Sequence, residues 1–143
     1  MYYVDTCIWL NLFKKEGDSR KGKPYWQIAG EFFQEIKQRG IEIYVSDAVL
    51  KELKSTLGDD YQKFESIFKE ECIIMIESSE DDRVSARKLE VDCLLGFADC
   101  LHIAISKKRD LVLVTRDKDL LDFTRNIIVA EKPETILNRL SYV

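Results

Sequence analysis

The sequence is short of several residue types on which common kinds of site depend. Its 143 residues include one histidine, two prolines and four cysteines, and no two cysteines have C-x-x-C spacing. With a single histidine and no paired cysteines, a zinc site is not expected. We interpret the cysteines as small apolar side chains of a protein in a reducing compartment, namely Cys7, Cys72, Cys93 and Cys100.

Long apolar segments are also missing. No apolar run approaches the ~20 residues that a helix needs to cross a bilayer. The apolar stretch Met1–Phe13 has no basic residues at its start and contains Asp5 in its middle, unlike a signal peptide. We therefore expect a cytoplasmic protein that makes no membrane contact.

The chain has no excess of positive charge. Its 22 basic and 26 acidic residues give a net charge of −4, unlike proteins that coat nucleic acid. If four carboxylates surround a metal ion, however, the rest of the chain has no net charge, so nucleic acid is not excluded. The basic residues of Lys14–Lys23 and Lys107–Arg109 could contact phosphates or could be plain solvated loops.

Length and patterning predict one α/β domain over residues 1–143. Short apolar runs alternate with amphipathic stretches, which indicates an α/β three-layer sandwich with a central, mostly parallel sheet. The predicted strands are Tyr2–Val4, Ile41–Val45, Cys72–Ile76, Leu111–Val114 and Ile127–Val129. The predicted helices are Thr6–Phe13, Tyr25–Arg39, Ala48–Leu57, Asp59–Glu70, Ser79–Asp92, Leu94–Ile105, a short helix after Asp117, and Pro133–Leu140.

Two acids lie at or just beyond the ends of predicted strands. Asp5 ends the first strand, and Asp117 follows the end of the LVLV strand. Ligands of open parallel sheets bind beyond the carboxyl ends of the strands, so both side chains are expected at one rim. Either residue taken alone could equally be a cap of the next helix.

Two further acids are candidates for the same site. In LLGFADCLHIAI, Asp99 and His102 are the only residues that are neither apolar nor glycine. A buried carboxylate costs on the order of several kcal/mol unless it is paired or binds a metal, which favours a function for Asp99. Glu52 borders an apolar helix stripe. Alone, Glu52 would be interpreted as a solvated residue, and only the presence of the other three acids supports its inclusion in the site.

Carboxylates that converge repel one another unless a cation lies among them. Hard oxygen ligands suit Mg²⁺ or Mn²⁺. Such an ion activates water and neutralises charge on a phosphate oxygen, which is nuclease chemistry.

The order of these motifs resembles the PIN-domain family, which includes the VapC-type toxins. The matching segments are VDTCIWL (Val4–Leu10), SDAVLKE (Ser46–Glu52), ADCLHIA (Ala98–Ala104), LVTRDKDL (Leu113–Leu120) and the trailing EKPETIL (Glu131–Leu137). Each motif is weak alone, but the ordered set spans nearly the whole chain. The resemblance implies that Asp5, Glu52, Asp99 and Asp117 form an acidic quartet that binds Mg²⁺ or Mn²⁺.

The resemblance also assigns supporting roles. It implies that Thr6 and Thr115 are hydroxyls beside the metal and that His102 is a supporting or packing residue. Asp119 is either an auxiliary acid or a solvated residue at a helix start.

The function implied is a metal-dependent endoribonuclease, with the toxin of a toxin–antitoxin pair as one form of it. Three quartet members would bind metal while Glu52 binds or orients a second ion or the attacking water. The implied partners are RNA, an antitoxin protein and a second copy of the chain.

Three alternatives are weighed. An aspartyl phosphatase needs an acid two residues after Asp5, where Cys7 stands, and a late lysine that Lys118 supplies only poorly. A phosphoacceptor receiver domain needs paired acids at the end of the first strand, where Tyr3 and Val4 precede Asp5. An RNA- or protein-binding module with little catalysis stays open.

Overall fold

The computed structural model describes residues 1–15 and 22–142. The predicted basic loop Lys14–Pro24 lies in large part outside these residues. The strands are β1 Tyr2–Val4, β2 Ile43–Ser46, β3 Ile73–Ile76, β4 Val112–Val114 and β5 Ala130–Glu131. The helices are α1 Thr6–Lys14, α2 Tyr25–Gln38, α3 Asp47–Leu57, α4 Tyr61–Phe64, α5 Glu80–Asp92, α6 Phe97–Arg109, α7 Lys118–Phe123 and α8 Pro133–Leu140.

The five strands form one parallel sheet in the order β3-β2-β1-β4-β5. Helices cover both sides of this sheet, which confirms the predicted α/β sandwich. The central strand pairs with both neighbours, with Tyr3 opposite Tyr44 of β2 and Leu113 of β4. Because apolar residues of β1 and β4 are buried on both faces, these strands are continuous apolar runs in the sequence.

An aromatic cluster anchors the first helix to the rest of the core. Trp9 of α1 is fully buried and stacks on Phe33 of α2, with 4.4 Å between ring centres. Phe68 meets the same indole edge-on at 4.9 Å. Burial of an aromatic side chain of this size contributes about 2–3 kcal/mol, and the cluster therefore fixes α1 directly behind the end of β1.

The strand order creates a crevice between two strands. From β1 the chain runs outward through β2 to β3, and then returns to the other side of β1 with β4 and β5. The order thus reverses between β1 and β4, and ligands of parallel sheets bind at the carboxyl ends of such a pair.

Two predicted elements differ in their environment or continuity. The predicted buried strand Cys72–Ile76 is an edge strand, β3, which pairs only with β2 within the described residues and leaves Met75 46% exposed. The predicted continuous helix Asp59–Glu70 is wrong, because 3₁₀ turns at Gly58–Asp60 and Glu65–Lys69 flank the single turn of α4.

Two others differ in their boundaries. The strand predicted at Ile127–Val129 is wrong, because a 3₁₀ turn at Thr124–Asn126 delays the pairing of β5 until Ala130. The helix predicted from Leu94 begins at Phe97 instead, since Gly96 is extended (φ −70°, ψ 166°), and Leu94 is fully solvent-exposed.

All four cysteines are free thiols. Cys100 is buried as expected, whereas the other three are only partly buried, and the Sγ atoms of Cys93 and Cys100 are 3.5 Å apart. Within residues 1–15 and 22–142, no helix is long and apolar enough to cross a membrane.

Candidate active site

Asp5 lies at the bottom of the crevice between β1 and β4. It is 6% exposed and follows the last residue of β1 directly. Its Oδ1 accepts a hydrogen bond of 2.8 Å from the Thr6 amide, while its Oδ2 accepts one of 2.7 Å from the Thr115 hydroxyl. These bonds hold the carboxylate in one orientation as the N-cap of α1.

The Thr115 hydroxyl joins the two strand ends. It donates to Asp5 and accepts the Asp117 amide at 3.1 Å, so one buried side chain contacts both acid-bearing segments. The Cys7 thiol also donates to Asp5 Oδ2, at 3.3 Å. Burial, together with the charge of Asp5, raises the pKa of Cys7 to about 12, so this thiol remains protonated and a donor.

Asp117 is the N-cap of α7 and is exposed. Its Oδ1 accepts the amides of Asp119 and Leu120 at 2.9 and 3.2 Å. Asp119 is also exposed, and within the described residues its carboxylate makes no hydrogen bond. The role of Asp119, as an auxiliary acid or as a solvated residue at a helix start, stays a prediction.

Asp99 lies in the first turn of α6 and is half-buried rather than enclosed. Burial, together with the negative charges of Asp5, Asp117 and Glu52, raises its pKa to about 6. The charge of His102 acts in the opposite direction. The carboxylate of Asp99 is therefore close enough to the other three acids to feel their charges.

Glu52 reaches the site from α3 and is held by His102. The fully buried His102 places Nε2 2.7 Å from Glu52 Oε1 and 3.9 Å from Asp5 Oδ1. Burial alone would raise the pKa of Glu52, but the hydrogen bond and charge of His102 lower it overall. Burial likewise acts to lower the pKa of His102, yet the bond to Glu52 and the charges of nearby acids raise it overall.

Sequence patterns do not indicate two further residues at the site. The Tyr3 hydroxyl lies 2.6 Å from both His102 Nδ1 and Ser46 Oγ, although Tyr3 looked like an ordinary strand residue. Arg116 has its guanidinium 4.0 Å from the centre of the Tyr25 ring and donates to Glu134 at 2.8 Å. Arg116 thereby ties the segment between Thr115 and Asp117 to α2 and α8, and only long-range packing could reveal this contact.

The site offers carboxylate and hydroxyl oxygens, which are the ligands of hard divalent cations. A cation would also offset the repulsion between the carboxylates. Thr6 supports this reading, since its Oγ1 is buried without a hydrogen-bond partner in residues 1–15 and 22–142. Within the same residues, however, no three His, Cys, Asp or Glu side chains lie close enough to enclose an ion directly. The acids therefore face one crevice without forming a closed cage.

The fold and the site define the class of this protein: a parallel α/β domain with acids where the strand order reverses. Sequence comparison gives the family. The sequence model of the PIN domain matches residues 2–126. The chain belongs to the PIN domain family, whose members are typically nucleases. Comparison with curated protein sequences gives no match.

Solved structures share the fold at low sequence identity. A toxin–antitoxin complex from Klebsiella pneumoniae is 19% identical with a TM-score of 0.66, and the alignment covers 93% of this chain and 98% of that one. VapBC2 from Rickettsia felis, bound to a promoter DNA fragment, is 18% identical with a TM-score of 0.67 over 91% and 97% of the two chains. VapC20 from Mycobacterium tuberculosis, a toxin that cleaves the sarcin–ricin loop, is 19% identical with a TM-score of 0.68 over 86% and 95%.

Proposed function

We propose that this protein is an endoribonuclease that depends on Mg²⁺ or Mn²⁺ and hydrolyses RNA phosphodiester bonds. The observation that carries the proposal is the arrangement of acids at the carboxyl ends of β1 and β4. There the Thr115 hydroxyl contacts the segments of both Asp5 and Asp117, and Asp99 is close enough to feel both charges. Convergent carboxylates of this kind favour a cation over an empty site.

The four acids have distinct roles in this proposal. Asp5, Asp99 and Asp117 hold the metal ion, and Glu52 holds a second ion or orients the attacking water. The bound metal would supply an activated water and would neutralise charge on the phosphate. Because no three His, Cys, Asp or Glu side chains among the described residues lie close enough to enclose an ion, water molecules would complete the coordination, as is usual for Mg²⁺.

The surrounding residues keep these acids oriented. Hydrogen bonds from Thr6, Cys7 and Thr115 hold Asp5 in place while leaving part of its lone-pair capacity for a metal. The cap bonds of Asp117 use only Oδ1 within the described residues, so its Oδ2 is available to a ligand.

Membership of the PIN domain family supports nuclease activity, and the structural neighbours suggest a biological setting. The Klebsiella neighbour is a toxin–antitoxin complex, and VapC20 is a toxin that cleaves the sarcin–ricin loop. We infer by likeness that the chain is a toxin with an RNA substrate and a small antitoxin protein as partner. A tag on the chain, followed by co-purification from its own host, tests for the antitoxin.

Several further properties are part of the same proposal. We propose a single domain over residues 1–143, a homodimer, and a cytoplasmic location, the last supported by four free thiols. Sedimentation at several concentrations tests the dimer. Limited proteolysis tests the single domain, because one domain should not be cut into two stable fragments.

A binding module with little catalysis is the second candidate. It is favoured by one observation, the lack of three acids close enough to enclose an ion within the described residues. A binding module would retain RNA affinity without turnover in the presence of metal, and this separates the two candidates.

The test is RNA cleavage by the purified protein with Mn²⁺, with Mg²⁺ and with chelator. Asp99→Asn is the informative variant, and Asp119→Asn is its matched control on an exposed acid of α7. We expect cleavage that requires metal, falls at least about 100-fold in Asp99→Asn and persists in Asp119→Asn.

Two results would contradict the nuclease proposal. Cleavage that survives chelator places the activity elsewhere or in a contaminant. RNA binding by wild type without turnover, on single-stranded and structured RNA alike, supports the binding module instead.

A further inference from the structure

A chain of buried polar side chains runs from the start of α3 to Glu52 by way of the central strand. The Val49 amide donates to Ser46 Oγ at 3.2 Å, Ser46 Oγ lies 2.6 Å from the Tyr3 hydroxyl, and that hydroxyl lies 2.6 Å from His102 Nδ1. The chain ends where His102 Nε2 meets Glu52 Oε1 at 2.7 Å. Ser46, Tyr3 and His102 are each completely buried.

Donor and acceptor requirements fix the direction of this chain. A carboxylate only accepts, so His102 Nε2 must carry the proton that it shares with Glu52. In the neutral ring Nδ1 is then an acceptor, and the Tyr3 hydroxyl must donate to it. Tyr3 in turn accepts from the Ser46 hydroxyl, which accepts the Val49 amide. With the ring neutral, every member is satisfied in this one arrangement.

Glu52 has the longest side chain of the four acids and needs such support to stay in one orientation. Its side chain is 38% exposed and reaches the crevice from a helix instead of a strand end. A long, exposed glutamate samples many rotamers, and holding it in one of them costs conformational entropy. Tyr3 has no other evident reason to be polar, since it lies in the middle of a fully buried strand.

We propose that Tyr3 and His102 are positioning residues for Glu52, with the Tyr3 hydroxyl selecting the His102 tautomer that presents an N–H to the Glu52 carboxylate. This inference rests on the proposed function, because it assigns Glu52 a place in metal or water binding. It adds a residue of β1 to the site and gives the buried histidine a specific task. His102 orients an acid and does not touch the reacting atoms.

The first experiment reads the tautomer directly. The chain contains one histidine, so ¹H–¹⁵N correlation spectra of the imidazole report on His102 without ambiguity. At a pH where titration of the imidazole resonances shows the ring to be neutral, we expect the Nε2–H tautomer in wild type and in Tyr44→Phe, and a mixture of tautomers in Tyr3→Phe. Tyr44 is the matched control because it lies on β2, next to Tyr3 of β1, and its hydroxyl contacts Glu42 just before β2, away from the crevice.

The second experiment measures Mn²⁺ affinity by calorimetry with two histidine variants. His102→Gln keeps an amide N–H where Nε2 lies, whereas His102→Asn places its polar group near Nδ1 and cannot reach Glu52. Loss of an outer partner of a metal ligand typically weakens affinity 10- to 100-fold. We expect about tenfold weaker binding in His102→Asn, about threefold in Tyr3→Phe, and substantial rescue in His102→Gln.

The outcomes separate this inference from the proposed function. No Mn²⁺ binding by folded wild type overturns both. Binding by wild type with equal affinity in Tyr3→Phe and His102→Asn overturns the positioning role and leaves the nuclease proposal intact. An Nδ1–H tautomer in wild type overturns it without reference to any variant or metal.

Discussion

The carboxylate of Asp99 lies where burial and neighbouring acids disfavour its charge. Its half-buried carboxylate faces three other acids, and its pKa is raised to about 6. A carboxyl group with a raised pKa contributes stability that is fully present below its unfolded pKa of about 4. That contribution is lost as the pH rises through about 6, so at neutral pH the ionised group opposes folding.

Replacing Asp99 with asparagine should therefore stabilise the metal-free protein at neutral pH. Because the group is partly solvated, we expect a gain of only about 1 kcal/mol in the free energy of unfolding. The gain should shrink below about pH 6 and disappear near about pH 4, where both proteins are neutral at this position.

Urea unfolding in chelator, at neutral pH and at about pH 4, checks this prediction. Asp119→Asn is the control and should not show the same pH-dependent gain. An Asp99→Asn protein that is no more stable than wild type at neutral pH would show that the acids do not repel one another significantly.

At the scale of elements, helix capping and site formation use the same residues. Asp5 is the N-cap of α1 and Asp117 is the N-cap of α7, so both side chains have a structural task that a neutral residue could perform. Asparagine is as good an N-cap as aspartate, while alanine is about 1 kcal/mol worse. Capping therefore explains the position of these acids but does not explain why they are charged.

Two variants of Asp117 separate the tasks. Asp117→Asn should keep the stability of wild type within about 0.5 kcal/mol, whereas Asp117→Ala should lose about 1 kcal/mol. Both should lower RNA cleavage by at least about 100-fold, because each removes the carboxylate. Urea unfolding and single-turnover cleavage are the two measurements.

Ser79→Ala provides the opposite control. Ser79 forms a reciprocal capping box with Asp82 at the start of α5, away from the crevice. This variant should lose about 1 kcal/mol and keep full activity. Full cleavage by Asp117→Asn would mean that Asp117 is only a cap.

At the scale of the whole molecule, a ligand that binds the folded crevice stabilises the entire domain. The site draws on β1, α3, α6 and the segment after β4, which come together only in the folded chain. Binding at a concentration of about 100 Kd adds about 2.7 kcal/mol to the free energy of unfolding. An unfolded chain offers no such site.

Mn²⁺ should therefore raise the unfolding temperature of wild type by about 5–10 °C at saturating concentration, and chelator should reverse the shift. Asp99→Asn should show little shift. The order of stability should thus invert, with the variant more stable without metal and wild type more stable with it. Thermal scans of both proteins with Mn²⁺ and with chelator test this, and equal shifts in the two would contradict Asp99 as a ligand.

Local sequence patterns predicted most of the architecture. Apolar runs predicted β1, β2 and β4 to within about two residues, and Pro133 correctly marked the start of α8. The failures occurred at the 3₁₀ turns beside α4 and before β5, where periodicity predicted a continuous helix and an earlier strand. Helical periodicity cannot distinguish a continuous helix from short turns that bury the same side chains.

The sequence by itself determined the fold class and indicated the four acids that we propose as the site, because alternating apolar runs and ordered motifs are local properties of the chain. Only the tertiary structure decided which strands are neighbours, and with that the crevice between β1 and β4. The contacts of Thr115 with Asp5 and of Tyr3 with His102 span 110 and 99 residues. Such contacts depend on strand order and on burial that excludes water, and neither leaves a periodic trace in the sequence.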